Sequence, residues 1–359
     1  MNKSKIIKKT NGIFIDMPLE TNWEFLSGLE ETSGKIWEVN SLVSNEGRTG
    51  KLSGIIRYCK YFYYSFIIFL DRNKYEKLLC WQSFYGIICA FYCRIFHVKK
   101  TNKVIVLNFV YKPKGERGLI GKLYFKWLNY CINNQYIDLY ISASLTNCKY
   151  CANIFNSNIN KFKFIPFSVK DSSSTPIHDE ALAQSNYILS LGRSNRDWQW
   201  LIESFRGSDY NLIIICDELR YPDLPDNITV LNNVWGDDTF KYIKYCKCMI
   251  IPILVGSVAS GDTVLVQGMS FSKPIIITQP SCLADDYVKD GWNGLTINKV
   301  KEDLLIALHK IYTDDNLYHT LSENARKDYL TNYTLLQYGK NVGKQIEQIV
   351  KNTVDIVNK

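Results

Sequence analysis

Two arginines, Arg193 and Arg196, sit in the turn Leu191-Gly-Arg-Ser-Asn-Arg-Asp-Trp198 that follows an apolar run. A guanidinium is permanently charged, flat and forked, so it can set two N–H groups on one phosphate. Further along, Ser257-Val-Ala-Ser-Gly-Asp-Thr-Val-Leu-Val-Gln-Gly-Met269 begins with small residues and runs into a helical pattern. The first N–H groups of that helix, around Ser260, Gly261, Asp262 and Thr263, have no partner within it and lie at its positive end, where an anion binds well. Two fixed cations and a helix N-terminus are the chemistry of a diphosphate site, so the chain is expected to handle something like a nucleotide.

Short β-rich apolar runs alternate with helical stretches along the whole chain, which predicts parallel sheets with helices on both faces. In the first part, strands are expected at 12–16, 35–39, 77–81, 103–109, 138–142 and 161–166, with helices at 54–70, 84–96, 119–133 and 146–155. Residues 171–185 are polar and Ser-rich and read as a linker. Beyond it, strands are expected at 187–191, 211–216, 228–231, 249–253, 274–278 and 294–297, with helices at 197–205, 239–246, 263–271, 301–313 and 315–329. Val342, Ile346, Ile349, Val350, Val354 and Val357 mark an amphipathic helix at the C-terminus. The domain reading is therefore an N-terminal domain over 1–170, a second domain over 186–334, and a final helix, 335–359, packing back toward the first. Ligands of open parallel sheets bind beyond the carboxyl ends of the strands, and the Arg turn and the Gly loop both fall on that edge of the second sheet.

The second half resembles the retaining glycosyltransferases of family 4, of the GT-B fold, found in bacterial polysaccharide and lipopolysaccharide biosynthesis. The likeness covers most of residues 186–332. Gly192-Arg193 and Arg196-Asp197 look like the strand and basic residue with which that family clamps the donor pyrophosphate. Asn233-Val234-Trp235 stands where its loop meets the nucleotide base. Gln267-Gly-Met-Ser-Phe-Ser-Lys-Pro274 matches its "Glu-Ala-Met-Ala-x-Gly-Lys-Pro" segment, and Asp285-Asp-Tyr-Val-Lys-Asp-Gly-Trp-Asn-Gly294 its "Glu-x-Val-x-Asp-Gly-x-Asn-Gly" turn. The resemblance implies two doubly wound Rossmann-like domains facing across a cleft. It also implies a nucleotide diphosphate sugar as donor substrate, no cofactor, no metal, and transfer with retention to a glycan or lipid-linked glycan.

Two glutamates that the family carries at this loop and helix are Ala259 and Gln267 here. Gln267 can still hydrogen-bond ribose hydroxyls. Ala259 cannot replace a carboxylate, and Asp262 is the nearest acid able to substitute. The resemblance thus assigns catalysis to Arg193, Arg196 and Asp262, and donor binding to Gly192, Asp197, Asn233, Val234, Trp235, Ser260, Gly261, Thr263 and Gln267. The departures keep open a second reading, a nucleotide-sugar-binding partner subunit that has lost catalysis. In the first domain the family's Gly-Gly loop is missing. Acceptor-side candidates there are the strand ends Asp16, Trp81-Gln82 and Asn108 to Lys112, where plain turn or capping roles serve equally well.

The first 170 residues hold 25 Lys and Arg against 11 Asp and Glu, whereas the rest of the chain is acidic on balance. A basic half suits an anionic partner, nucleic acid or acidic lipid, or is simply a solvated face. Without a recognition motif and with the basic residues widely spaced, nucleic acid is set aside. Peripheral docking at the inner face of the cytoplasmic membrane is the expectation. Residues 78–96 carry a single charge, Arg94, and are interrupted by Gln82, Ser83 and Gly86. They read as strand, turn and helix of a buried core in preference to a membrane span. The N-terminus shows no secretory signal pattern. Eleven scattered cysteines, odd in number, read as buried free thiols, and Cys148 with Cys151, or Cys246 with Cys248, lack the partners of a zinc site.

Overall fold

The computed structural model describes residues 9–44, 52–111 and 118–357, the last eight of these as backbone. The chain divides into two compact units, residues 1–165 with 338–359, and residues 166–337.

The first unit holds a six-stranded sheet of β1 (Thr10–Ile15), β2 (Trp37–Ser41), β3 (Tyr75–Cys80), β4 (Lys103–Val106), β5 (Leu139–Ser142) and β6 (Phe162–Phe164). Their order is β2-β1-β3-β4-β5-β6. The second unit holds β7 (Ile188–Leu191), β8 (Leu212–Ile215), β9 (Ile228–Leu231), β10 (Met249–Ile251), β11 (Ile275–Gln279) and β12 (Leu295–Asn298), in the order β12-β11-β10-β7-β8-β9. Every pairing is parallel. Strands covered on both faces read as unbroken apolar runs, and Leu212-Ile-Ile-Ile215 is one. The fold class is therefore the expected one.

The expected strand at 103–109 stops at Val106, because Asn108 takes φ +54°, outside the β region. Residues 78–96 are the end of β3, a turn and the helix Ser83–Ile95, with Ile87, Ile88 and Cys89 buried. Among the described residues no helix is long and apolar enough to cross a membrane. Three short helices were not expected, Glu24–Ser33, Glu180–Gln184 and Cys282–Tyr287.

The segment expected to link the domains folds with the second unit instead. Asp171 forms an ion pair with Arg326 at 2.7 Å. Asp179 caps the helix Glu180–Gln184 and meets Lys241 at 3.2 Å. Its polar residues are thus occupied in caps and ion pairs, which composition alone does not distinguish from a solvated tether.

The final helix, Leu335–Val357, counts with the first unit from Tyr338 onward. Tyr338, Val342 and Ile346 are buried, and Gly339 lets it approach the Glu24–Ser33 helix so closely that a Cβ there would fall 2.1 Å from the Phe25 carbonyl oxygen. The side chains of Val350, Val354 and Val357 lie outside the described residues, as does Lys112.

Candidate functional site

In the second sheet the strand order reverses between β7 and β10, which lie side by side with Leu189 opposite Met249. Loops leaving two such strands part in opposite directions and open a crevice between them. The Arg-bearing turn leaves β7 and the Gly loop leaves β10, so the two expected halves of a diphosphate site do meet.

The two loops are laced together by backbone. The Asp197 N–H donates to the Pro252 carbonyl at 2.8 Å, and the Leu254 N–H donates to the Asn195 carbonyl at 3.2 Å. Asn195, in the left-handed region at φ +58°, accepts from the Val255 N–H and donates to the Val255 carbonyl. Ser194 Oγ and Ser260 Oγ stand 2.7 Å apart. Such a pair of loops is held before any ligand arrives.

Arg196 lies between them, 7% exposed. Its Nε donates to the Leu191 carbonyl and its Nη1 to the Ser194 carbonyl. Burial pulls its pKa down to about 10, with the Asp262 carboxylate acting the other way, so it is a cation at neutral pH. Gly192 and Gly261 flank it at φ +130° and +111°. Gly261 precedes the helix Asp262–Ser270, and the Asp262 carboxylate accepts the Thr263 N–H at 2.9 Å.

Beside this brace opens a pocket of about 400 Å³, within the range of small-molecule sites. Gly192, Val234, Trp235, Thr263 and Gln267, all expected donor residues, line it together with Arg193, expected for catalysis. Gln267 is nearly buried, and its Nε2 donates to Ser270 Oγ at 3.3 Å. Of the other expected residues, Ser260, Gly261, Asn233, Arg196 and Asp262 sit in the same loops but do not line this pocket. Asp197 faces away from it, capping the helix Trp198–Phe205 through the Trp200 N–H and pairing with Lys299 at 3.1 Å.

Among the lining residues that the sequence does not single out, Asp217 makes the most telling contacts. Asp217, just past β8, accepts the Asn233 N–H at 2.8 Å and the indole N–H of Trp235 at 2.5 Å. The indole bond, then the Asn233 amide and the nearby Arg193 and Arg220 charges, hold its carboxyl below the usual carboxylate range. It ties the loop carrying Trp235 to the end of β8 and lines the same pocket as Gln267. A signal was present in part: an acid immediately beyond an apolar strand lies on the ligand edge of a parallel sheet.

In the first unit the reversal lies between β1 and β3. The loops there bring together two of the three acceptor-side candidates: Gln82 Nε2 donates to Asp16 Oδ2 at 3.2 Å. Asp16 also accepts from the backbone and hydroxyl of Ser44, and Gln82 donates to Tyr61. Asn108 is engaged separately, donating to the Trp81 carbonyl and accepting from the Tyr338 hydroxyl.

Residues 184–328 match the model of the glycosyl transferases group 1 family. No curated protein matches the chain in sequence. Solved structures do match in fold. HepE of Anabaena, solved with UDP and glucose, superposes with a TM-score of 0.67 at 10% identity, over 94% of this chain and 99% of its own. Sucrose-phosphate synthase of Thermosynechococcus elongatus gives 0.70 at 13% identity, over 96% and 100%. WaaG, a glycosyltransferase involved in lipopolysaccharide biosynthesis, gives 0.58 at 13% identity, over 92% and 98%.

Proposed function

We propose, from the premise that the chain is a glycosyltransferase of the GT-B fold with a group 1 domain over residues 184–328, that it transfers a sugar from a nucleoside diphosphate sugar to a glycan or lipid-linked glycan. The observation that supports this most is the pocket at the β7–β10 reversal, lined both by Arg193 and by Thr263 at the start of the helix Asp262–Ser270. In this reading the Trp235 loop takes the base, Gln267 takes the ribose, and the diphosphate rests between Arg193 and the N–H groups of the helix N-terminus, with the buried Arg196 adding its charge nearby. Positive groups already in place as charge grows on the departing diphosphate stabilise the transition state by several kcal/mol. That charge needs no metal. Attack from the face of the leaving group, with retention, follows the family resemblance.

Uridine is the base we favour, since HepE was solved with UDP and glucose. Surface polysaccharide biosynthesis is the proposed setting, in line with the neighbouring WaaG. The enzyme would work peripherally on the anionic inner face of the cytoplasmic membrane, with Asp16, Gln82 and Asn108 on the acceptor side.

A thermal-shift series with UDP, GDP, ADP and CMP tests the donor site. A ligand at 100 times its dissociation constant stabilises by about 2.7 kcal/mol. No shift with any nucleotide would overturn the assignment. The chain's Ala259, in place of a carboxylate, favours a second reading as a donor-binding partner subunit. Binding of a nucleotide sugar with neither hydrolysis nor transfer would select that reading.

A further inference from the structure

The helix Ser53–Asp71 presents a solvent face without a single charged side chain. From Leu52 onward its exposed positions are Leu52, Ile55, Ile56, Cys59, Phe62, Tyr63, Phe66 and Leu70. They recur every three or four residues, so they form one stripe along about 27 Å of helix. Its opposite face is spent on the core through Tyr61, Ile68 and Phe69. The helix Leu119–Ile132 continues the surface with Leu119, Ile120 and Leu123, each more than half exposed. The two meet where Phe62 and Trp127 place their ring centroids 6.1 Å apart.

Exposed large apolar residues scattered singly need no explanation, but a contiguous patch marks a surface that something covers. The charges beside it say what. The helices Ser53–Asp71, Ser83–Ile95 and Leu119–Ile132 carry five cations, Arg57, Lys60, Arg94, Lys122 and Lys126. Their single acid, Asp71, is at a helix end and pairs with Lys74 at 2.7 Å. Aromatic rings mixed with such cations suit the boundary between lipid headgroups and acyl chains. A second copy of the chain would oppose these cations to their own kind, which disfavours a symmetric pair. The neighbouring segments 45–51 and 112–117 carry no large apolar side chain with which to cover the stripe.

We infer that the exposed face of the helices Ser53–Asp71 and Leu119–Ile132 is the surface by which the protein lies on an anionic lipid bilayer. The stripe sinks among the acyl chains in the plane of the interface, and Lys122 and Lys126 meet the headgroups. This gives the membrane attachment proposed above a location and rests on that reading.

The test is co-sedimentation of the full chain with vesicles of phosphatidylglycerol and phosphatidylcholine, and with phosphatidylcholine alone, at low and high salt. Two double variants accompany the wild type, Ile56→Ser with Tyr63→Ser, and Lys122→Glu with Lys126→Glu. The thermal shift with UDP reports that each is folded, since none of the four positions lies in the donor pocket. The expected result is binding to the anionic vesicles only, falling at least tenfold in each variant. Binding that both variants retain would leave membrane attachment standing and overturn this face. No binding by the wild type would overturn both. A concentration-dependent dimer abolished by Ile56→Ser with Tyr63→Ser would assign the stripe to a second copy instead.

Discussion

Gly261 and Arg196 divide one small space between them: a Cβ on Gly261 would stand 2.9 Å from Arg196 Nη2 and 3.0 Å from Nη1. The glycine also has φ +111°, where an L side chain is strained. Gly261→Ala is therefore expected to destabilise the protein by about 1–3 kcal/mol. Thermal denaturation measures it. A melting temperature equal to wild type would mean that the two loops are less tightly held than described.

The two arginines are expected to fail differently. Arg193 is exposed on the pocket wall, whereas Arg196 is buried and bonded to the carbonyls of Leu191 and Ser194. Arg193→Ala should cut turnover by about 100-fold without moving the melting temperature. Arg196→Ala should lower both, because it removes the brace as well as the charge. Lysine should rescue either poorly, since it lacks the fork. Full turnover in Arg193→Ala would remove that residue from the donor site.

Asp217 should act through Trp235. Its carboxyl is held below its ordinary value of 3.8 by bonds to its charged form, the Trp235 indole foremost. An acid whose folded pKa is depressed stabilises above its unfolded value and loses that contribution as pH falls through the folded one. The tryptophan emission that Trp235→Phe removes should accordingly be constant from about pH 8 to 5 and change only below about pH 4. Asp217→Asn should raise KM for the donor up to about tenfold through a lost charged hydrogen bond, with kcat nearly unchanged. A fall in kcat at constant KM would contradict a positioning role.

Gln267 is nearly buried at the pocket wall. Gln267→Leu should weaken nucleotide affinity by roughly 1–3 kcal/mol, by leaving a ligand hydroxyl unpaired. Gln267→Glu keeps an acceptor at the same place and should be tolerated. Isothermal titration with UDP decides between them, and an unaffected leucine variant would take the ribose away from this residue.

Strands were legible because buried parallel strands are written as apolar runs, and Ile275-Ile-Ile-Thr-Gln279 can hardly be read otherwise. The helix Glu24–Ser33 was not, since Ser27, Gly28, Thr32 and Ser33 are weak helix formers. It packs through Phe25 and Leu29, and the final helix reaches it at Gly339, about three hundred residues away in sequence. The arginines and the Gly loop could be read because each carries its chemistry locally. Asp217 could not, because its partner Trp235 arrives 18 residues later. Asp197 stands just before a helix, which is the place of an N-cap and the part it plays, rather than a phosphate contact.

The neighbours β7 and β10 are separated along the chain by β8 and β9, and Ser190 reaches 60 residues ahead to bond the Ile250 carbonyl. The proposed donor pocket thus has no half that could exist by itself in a growing polypeptide. Until synthesis has passed the helix Asp262–Ser270, the nascent chain lacks Thr263 and Gln267 and has only part of that pocket. Contacts this distant form late, after the loop between them has closed. A ligand that recognises only the finished arrangement slows unfolding and leaves the folding rate alone. Bound nucleotide would then lengthen the life of the folded enzyme without hastening its birth.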